Sequence, residues 1–196
     1  MDTSLLHALN GFAFRHDGFE DPLTLYVGAS QVLFMALLAL LVLVDRGTGW
    51  RRRAAVAAGV GAGLALAVAQ IVSRVVDRPR PFVADPRGVH VFARHVADAS
   101  FPSDHATAAF AIATAVLLRD RRWGVVVLAF AALLAAGRVA LGGHYPSDVL
   151  GGAALGAAVS LLLYVPAVRR RLDRLAAGVG RLIDAVPWPR RSRVAT

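Results

Sequence analysis

The chain contains no cysteine and no lysine. Without cysteine it has no disulfide, no thiol nucleophile and no thiolate-held metal. Its redox compartment therefore leaves no mark on the sequence. All 22 basic residues are arginine, which is a coding bias and not a mechanism. Charge is also scarce: 18% of residues are charged and 57% are hydrophobic, against about a quarter charged in an average soluble domain. The mean hydropathy is +0.56. The charges cluster, and the apolar runs between clusters approach the roughly 20 residues that a membrane-spanning helix needs. The composition argues against an ordinary soluble domain. No basic stretch precedes an apolar core at the N-terminus, so no cleavable signal peptide is expected. The net charge of +9 and the pI near 11.5 suit nucleic-acid binding by themselves. The arginines, however, sit at the ends of apolar runs, where the positive-inside rule places them. No nucleic-acid partner is expected.

The apolar pattern predicts an all-α membrane bundle of about five spans, with amphipathic helices at both ends, forming one domain over residues 1–196. Leu5, Leu9, Phe12 and Ala13 share one helical face ahead of the first span and suit an interfacial helix. The spans are expected at Leu23–Val44, Ala54–Val72, Asp104–Leu118, Trp123–Leu141 and Ser147–Val165. A polar segment, Ser73–Ser103, joins the second span to the third. From Val168 an arginine-rich tail keeps a helical period up to Pro187. It suits either a helix on the membrane surface or one packed on the protein's own cytoplasmic face. The 45–53 loop, the 119–122 turn and the tail carry 4, 3 and 8 arginines, 15 of the 22. These should face the cytoplasm. Ser73–Ser103 and His144 then lie together on the extracytoplasmic side.

Five features of that side suit phosphate. Arg78-Pro79-Arg80-Pro81 follows the second span, and guanidinium groups bind phosphate oxygens through paired hydrogen bonds. An Arg-Pro pair alone is more often a helix stop. Ser103 is placed to cap the third span, and a helix start attracts anions; His105 follows within one turn. Plain capping explains Ser103 and Asp104 but not His105. Arg138 lies inside an apolar span, where a charge costs roughly 2.5–3.5 kcal/mol, unless it snorkels to the interface. His144 sits in a Gly-Gly turn, with Asp148 one helical turn later. A carboxylate on one ring nitrogen leaves the other free as nucleophile or base, although such a pair is more often structural. A divalent metal on His105, His144, Asp104 and Asp148 is the competing arrangement. Arg78, Arg80 and Arg138 would repel it.

Taken together these residues resemble the type 2 phosphatidic acid phosphatases. The family's third motif is matched by Arg138, His144 and Asp148. The second is matched by Pro102, Ser103 and His105, with Asp104 where most members carry Gly. The first is matched only at Arg80 and Pro81. Its Lys position holds Ser73, with Arg74 beside it, and Gly137 replaces the Ser that commonly precedes the third-motif Arg. The string Asp98–Thr107 is similar to the undecaprenyl-diphosphatase branch, where Asp replaces that Gly and the Lys is often missing. The resemblance implies a phosphatase of the bacterial plasma membrane acting on a lipid phosphate or diphosphate, without cofactor. Undecaprenyl diphosphate is the leading substrate. Phosphatidic acid, phosphatidylglycerophosphate and other polyprenyl phosphates are alternatives, as is a non-catalytic lipid-phosphate binder or transporter. It also implies that His144 attacks phosphorus, Asp148 orients it, and His105 protonates the leaving oxygen. Arg80, Arg138 and Ser103 would hold the phosphate, with Arg74 or Arg78 replacing the missing Lys. The oligomeric state is not legible.

Overall fold

The structure is a computed structural model that describes residues 2–45, 49–92 and 98–185. Among the described residues there is no strand. The elements are α1 (Asp2–Phe14), α2 (Asp17–Leu43), α3 (Trp50–Val76), the four-residue α4 (Pro81–Ala84), α5 (Asp104–Leu117), α6 (Arg121–Ala140), α7 (Pro146–Leu163) and α8 (Pro166–Asp184). Four of them, α2, α3, α6 and α7, are long and apolar enough to cross a membrane. The chain is an integral membrane protein.

The helices begin and end where local chemistry requires. Asp77 closes α3 in the left-handed conformation, φ 43°, which a short polar side chain tolerates. Pro79 and Pro81 then prevent helix from resuming directly, and Pro81 takes the first position of α4. Ser103 caps α5 by accepting from the Ala106 N–H at 3.5 Å. Asp120 caps α6 by accepting from Arg122 and Trp123. Both α2 and α3 run beyond the spans read from hydropathy. Trp50–Arg53 forms the first turn of α3, and Ser73–Val76 its last, because charge ends a hydrophobic run without ending a helix.

The expected third span is the exception in length. At 14 residues α5 reaches only about 21 Å at 1.5 Å per residue. It can be short because it is enclosed by α3, α6 and α7. Nine of its residues, from Ala106 to Val116, are buried. Lipid offers no hydrophobic drive for helix association, so the packing rests on small residues that let backbones approach. A Cβ at Gly152 of α7 would fall 2.6 Å from the Ser103 carbonyl oxygen, and one at Gly156 would clash with the Thr107 carbonyl oxygen. Gly137 has a similar reason to differ from Ser: a Cβ there would lie 2.7 Å from Val27 Cγ2 of α2.

At one end of the bundle α8 packs on α3, burying Leu172, Ala176 and Gly180. Arg52 grips Asp184 through two bonds of 2.9 and 2.7 Å, and Arg119 pairs with Asp173 at 2.6 Å. Of the two arrangements open for the tail, packing against the protein accounts for this face. Leu175 and Leu182 remain exposed. The expected stop at Pro187 lies outside the described residues.

At the opposite end α1 covers the mouth of the bundle. Its buried face is Leu6, Asn10 and Ala13, so of the expected apolar face Ala13 is buried whereas Leu5 and Phe12 are exposed. Asn10 donates to the carbonyls of His90 and Ala140 at 2.8 and 2.9 Å and accepts from His90 N–H at 2.8 Å. It thereby fastens α1 to the segment after α4 and to the end of α6.

Candidate active site

The ends of α3 and α6 and the starts of α5 and α7 meet beneath α1. The turn after α6 needs Gly142, which has φ 77°; a Cβ there would also press on the His90 carbonyl. That turn delivers His144 into the protein, where the residue is 2% exposed. Both ring nitrogens are engaged. Nδ1 lies 2.9 Å from the Ser100 carbonyl oxygen, and a carbonyl can only accept, so Nδ1 carries the proton. Nε2 then presents its lone pair. Two guanidiniums converge on it: Nη1 of Arg80 at 3.1 Å and Nη2 of Arg138 at 3.0 Å.

Asp148 stands behind the ring. Its Oδ2 is 3.6 Å from His144 Nδ1 and accepts the Tyr145 N–H at 2.9 Å. The hydrogen bond from Nδ1 thus goes to the Ser100 carbonyl, and the carboxylate acts through its charge. Burial drives the His144 pKa down to about 4, against an ordinary 6.5. Asp148 opposes that shift, and the charges of Arg138 and Arg80 reinforce it. The ring is neutral at pH 7.

Among the described residues only one of the two arginines has a carboxylate partner. Arg80 Nε pairs with Asp98 at 2.7 Å, but that carboxylate is 60% exposed. Burial would raise the Asp98 pKa, yet the hydrogen bond and charge of Arg80 hold it below the usual range. Arg138 is 9% exposed and makes no ion pair among the described residues. Its buried Nε has no hydrogen-bond partner there. An unmatched buried donor costs about 1–3 kcal/mol. Two cations around one neutral ring, one of them with a spare donor, make a place for an anion.

The remaining expected residues fall into two groups. Ser103 and His105 belong to the same end of the bundle. The Ser103 N–H donates to the Asp148 carbonyl at 3.0 Å, tying the start of α5 to the start of α7. His105 lies in the first turn of α5 and, with Asp104 and Gln70, lines one end of a cavity of about 770 Å³ between α2, α3 and α5. Gln70 donates to Asp104 at 2.9 Å. Beyond these polar residues the cavity is walled by Phe34, Met35, Leu66 and Ile112. Arg78 and Arg74 stand apart from the histidine. Arg78 is occupied by Asp2 and Asp148, at 2.7 Å each, and Arg74 is exposed in the last turn of α3. Among the described residues no three His, Asp or Glu side chains gather as a metal site. Sequence reasoning did not find Asp2, Asp98 or the Ser100 carbonyl.

The chain is similar to known proteins. The chain is 32% identical to undecaprenyl-diphosphatase BcrC of Bacillus subtilis (strain 168), over 84% of this chain and 83% of that one. It is 36% identical to the lipid A 1-phosphatase of Rhizobium johnstonii, over 65% of this chain and 50% of that one. The crystal structure of Aquifex aeolicus LpxE superposes with a TM-score of 0.63 at 24% identity, covering 82% of this chain and 93% of that one. That likeness speaks for the fold. The PAP2 superfamily profile matches residues 54–171, which hold Arg80, His105, Arg138, His144 and Asp148, and on these grounds the chain belongs to the PAP2 superfamily of phosphatases.

Proposed function

We propose that the protein hydrolyses undecaprenyl diphosphate to undecaprenyl phosphate and phosphate at the extracytoplasmic face of the bacterial plasma membrane, recycling a cell-wall lipid carrier. The observation that carries this reading is the neutral, buried His144, with its Nε2 lone pair facing two guanidiniums at 3.0 and 3.1 Å.

In this reading the terminal phosphate displaces the two guanidiniums from Nε2, and they bind its equatorial oxygens. Nε2 attacks phosphorus, and the bond from phosphorus to the bridging oxygen breaks. His105 gives that oxygen its proton, and undecaprenyl phosphate leaves. The phosphohistidine keeps its Nδ1 proton and is cationic, so Asp148 at 3.6 Å stabilises it. His105 next takes a proton from water, which attacks phosphorus and releases phosphate. Arg80, Arg138 and the start of α5 at Ser103 neutralise the charge that develops. Guanidiniums thus supply what metal ions supply in other phosphoryl transfers, and the reaction needs no cofactor.

The cavity supports a lipid substrate. From Gln70 to Gly59 it follows α3 for 12 residues, about 16 Å of helix, or half the roughly 30 Å hydrocarbon core. A phosphate at His105 and a tail along this groove fit a lipid seated in one leaflet. That 15 of the 22 arginines fall in the 45–53 loop, the 119–122 turn and the tail supports the extracytoplasmic assignment. The relative BcrC, named for the same substrate, supports the diphosphate.

The test is phosphate release by the purified protein, with chelator present, from undecaprenyl diphosphate, phosphatidic acid and phosphatidylglycerophosphate side by side. Turnover should be fastest on undecaprenyl diphosphate. His144→Ala should lower kcat roughly 10³-fold or more while substrate binding persists. Loss of activity in chelator, or full turnover by His144→Ala, sinks the mechanism. Faster turnover of phosphatidic acid moves the substrate assignment and leaves the mechanism standing.

A further inference from the structure

The first turn of α1 reaches the back of the His144–Asp148 pair through a closed set of polar contacts. Asp2 Oδ1 accepts the Ser147 N–H at 2.9 Å. Its Oδ2 accepts from Ser147 Oγ at 2.6 Å and from Arg78 Nη2 at 2.7 Å. Arg78 Nη1 donates to Ser147 Oγ at 2.6 Å and to Asp148 Oδ1 at 2.7 Å. The guanidinium lies flat enough on Tyr145 to put its carbon 3.8 Å from the ring centroid. The other oxygen of Asp148 receives the Tyr145 N–H and faces His144. Both oxygens of this fully buried carboxylate are therefore held, one by α7's own backbone and one by Arg78.

We infer that Asp2 and Arg78 are positioning residues of the active site: Asp2 fixes Arg78, Arg78 fixes Asp148, and the N-terminal helix thereby sets the orientation of the His144 ring. Arg78 is then not a phosphate ligand. Reaching a phosphate would require it to leave two carboxylates and an aromatic face, stranding a buried charge at Asp148. The phosphate falls instead to Arg80 and Arg138, which contact His144 Nε2. Asp2 behaves as the anchor of the set. Burial would raise its pKa, but hydrogen bonds from Ser147 and Arg78 hold it below the usual carboxylate range.

The inference rests on His144 as nucleophile, and its test separates the two. The full chain in detergent is assayed on a short-chain prenyl diphosphate as wild type, Asp2→Asn, Arg78→Gln, Arg78→Lys, the Asp2→Asn/Arg78→Gln double variant and His144→Ala. All are compared below their melting temperatures. Asp2→Asn and Arg78→Gln should each lower kcat roughly 10- to 100-fold, as a misaligned reacting group does. KM should stay within about three-fold, because no phosphate contact is lost. The double variant should be no worse than the poorer single, since both act through Asp148. Arg78→Lys should recover part of kcat by restoring a cation beside Asp148. Wild-type kcat in Asp2→Asn overturns the inference. A raised KM with kcat retained in Arg78→Gln returns that residue to the phosphate and overturns it equally. Additive losses that follow the folded fraction reduce the contacts to plain stability and overturn it as well. Full turnover by His144→Ala would instead sink the mechanism beneath it.

Discussion

His144 keeps its Nε2 lone pair only while it is neutral, and its surroundings set the pH at which that ends. The folded ring takes up a proton near pH 4, whereas in an unfolded chain it would do so near 6.5. The acid limb of kcat/KM on a soluble short-chain diphosphate should therefore lie near pH 4–5. A limb at 6–6.5 would show a ring titrating as if in water. Arg80→Gln removes a cation beside Nε2 and should move the limb upward. The same shift acts on stability. Between pH 6.5 and 4 the unfolded chain binds the proton and the folded one does not. Stability is thus unaffected above 6.5 and falls as the pH drops to 4, by up to about 3 kcal/mol at 1.36 kcal/mol per unit. Much of this site is legible in the sequence. His144 and Asp148 are four residues apart and Arg138 six before the histidine, so the local chain places them. Asp2 bonds Ser147 across 145 residues, and Ser100 approaches His144 with its backbone across 44. Neither carries a side-chain pattern that sequence spacing could reveal.

The proposed active site depends on how closely α5 and α7 approach, since the first carries His105 and the second Asp148. Gly152 and Gly156 set that approach. In Gly156→Ala the new Cβ would meet the Thr107 carbonyl oxygen and fall 2.8 Å from Ala111 N. Both are backbone atoms that cannot turn aside. Helix propensity favours Ala by about 0.5–1 kcal/mol, while overpacking costs about 1–3 kcal/mol, so the cost wins. The melting temperature should fall by a few degrees, at roughly 2–4 °C per kcal/mol for a chain of this size. kcat should fall with it as the Ser103–Asp148 bond lengthens. Gly59→Ala is the control, because nothing lies within 4 Å of its Cβ position; it should melt at or above wild type. An unchanged melting temperature in Gly156→Ala would show that the helices can spread freely. At this scale the sequence reveals the helices better than their ends or faces. Hydropathy locates each of the four long apolar helices, yet it stops at the first arginine where α3 does not. It also marks Leu5 and Phe12 on α1, while the residue that fastens that helix is the polar Asn10.

Across the whole molecule the chemistry sits at one end, the paired arginines at the other, and the groove of α2, α3 and α5 descends from the first toward the second. If the lipid tail lies in that groove, filling it should separate long substrates from short ones. Gly63 is the position for this. It lines the cavity, and a Cβ there meets nothing within 4 Å, so Gly63→Phe can place a ring in the groove without straining the helix. The change also replaces a glycine inside α3, which by itself favours the fold. Melting should therefore stay level or rise. A tail denied the groove would drag the diphosphate out of line with Nε2, and misplacement by about 1 Å can cost roughly 100-fold. kcat/KM for undecaprenyl diphosphate should fall by roughly 10- to 100-fold on that ground, while a short-chain prenyl diphosphate, too short to reach Gly63, keeps its rate. Equal losses on both substrates would mean that the ring disturbs His105 itself. Equal retention would mean that the tail leaves the active site by another route, and that this groove is a feature of packing between α2 and α3.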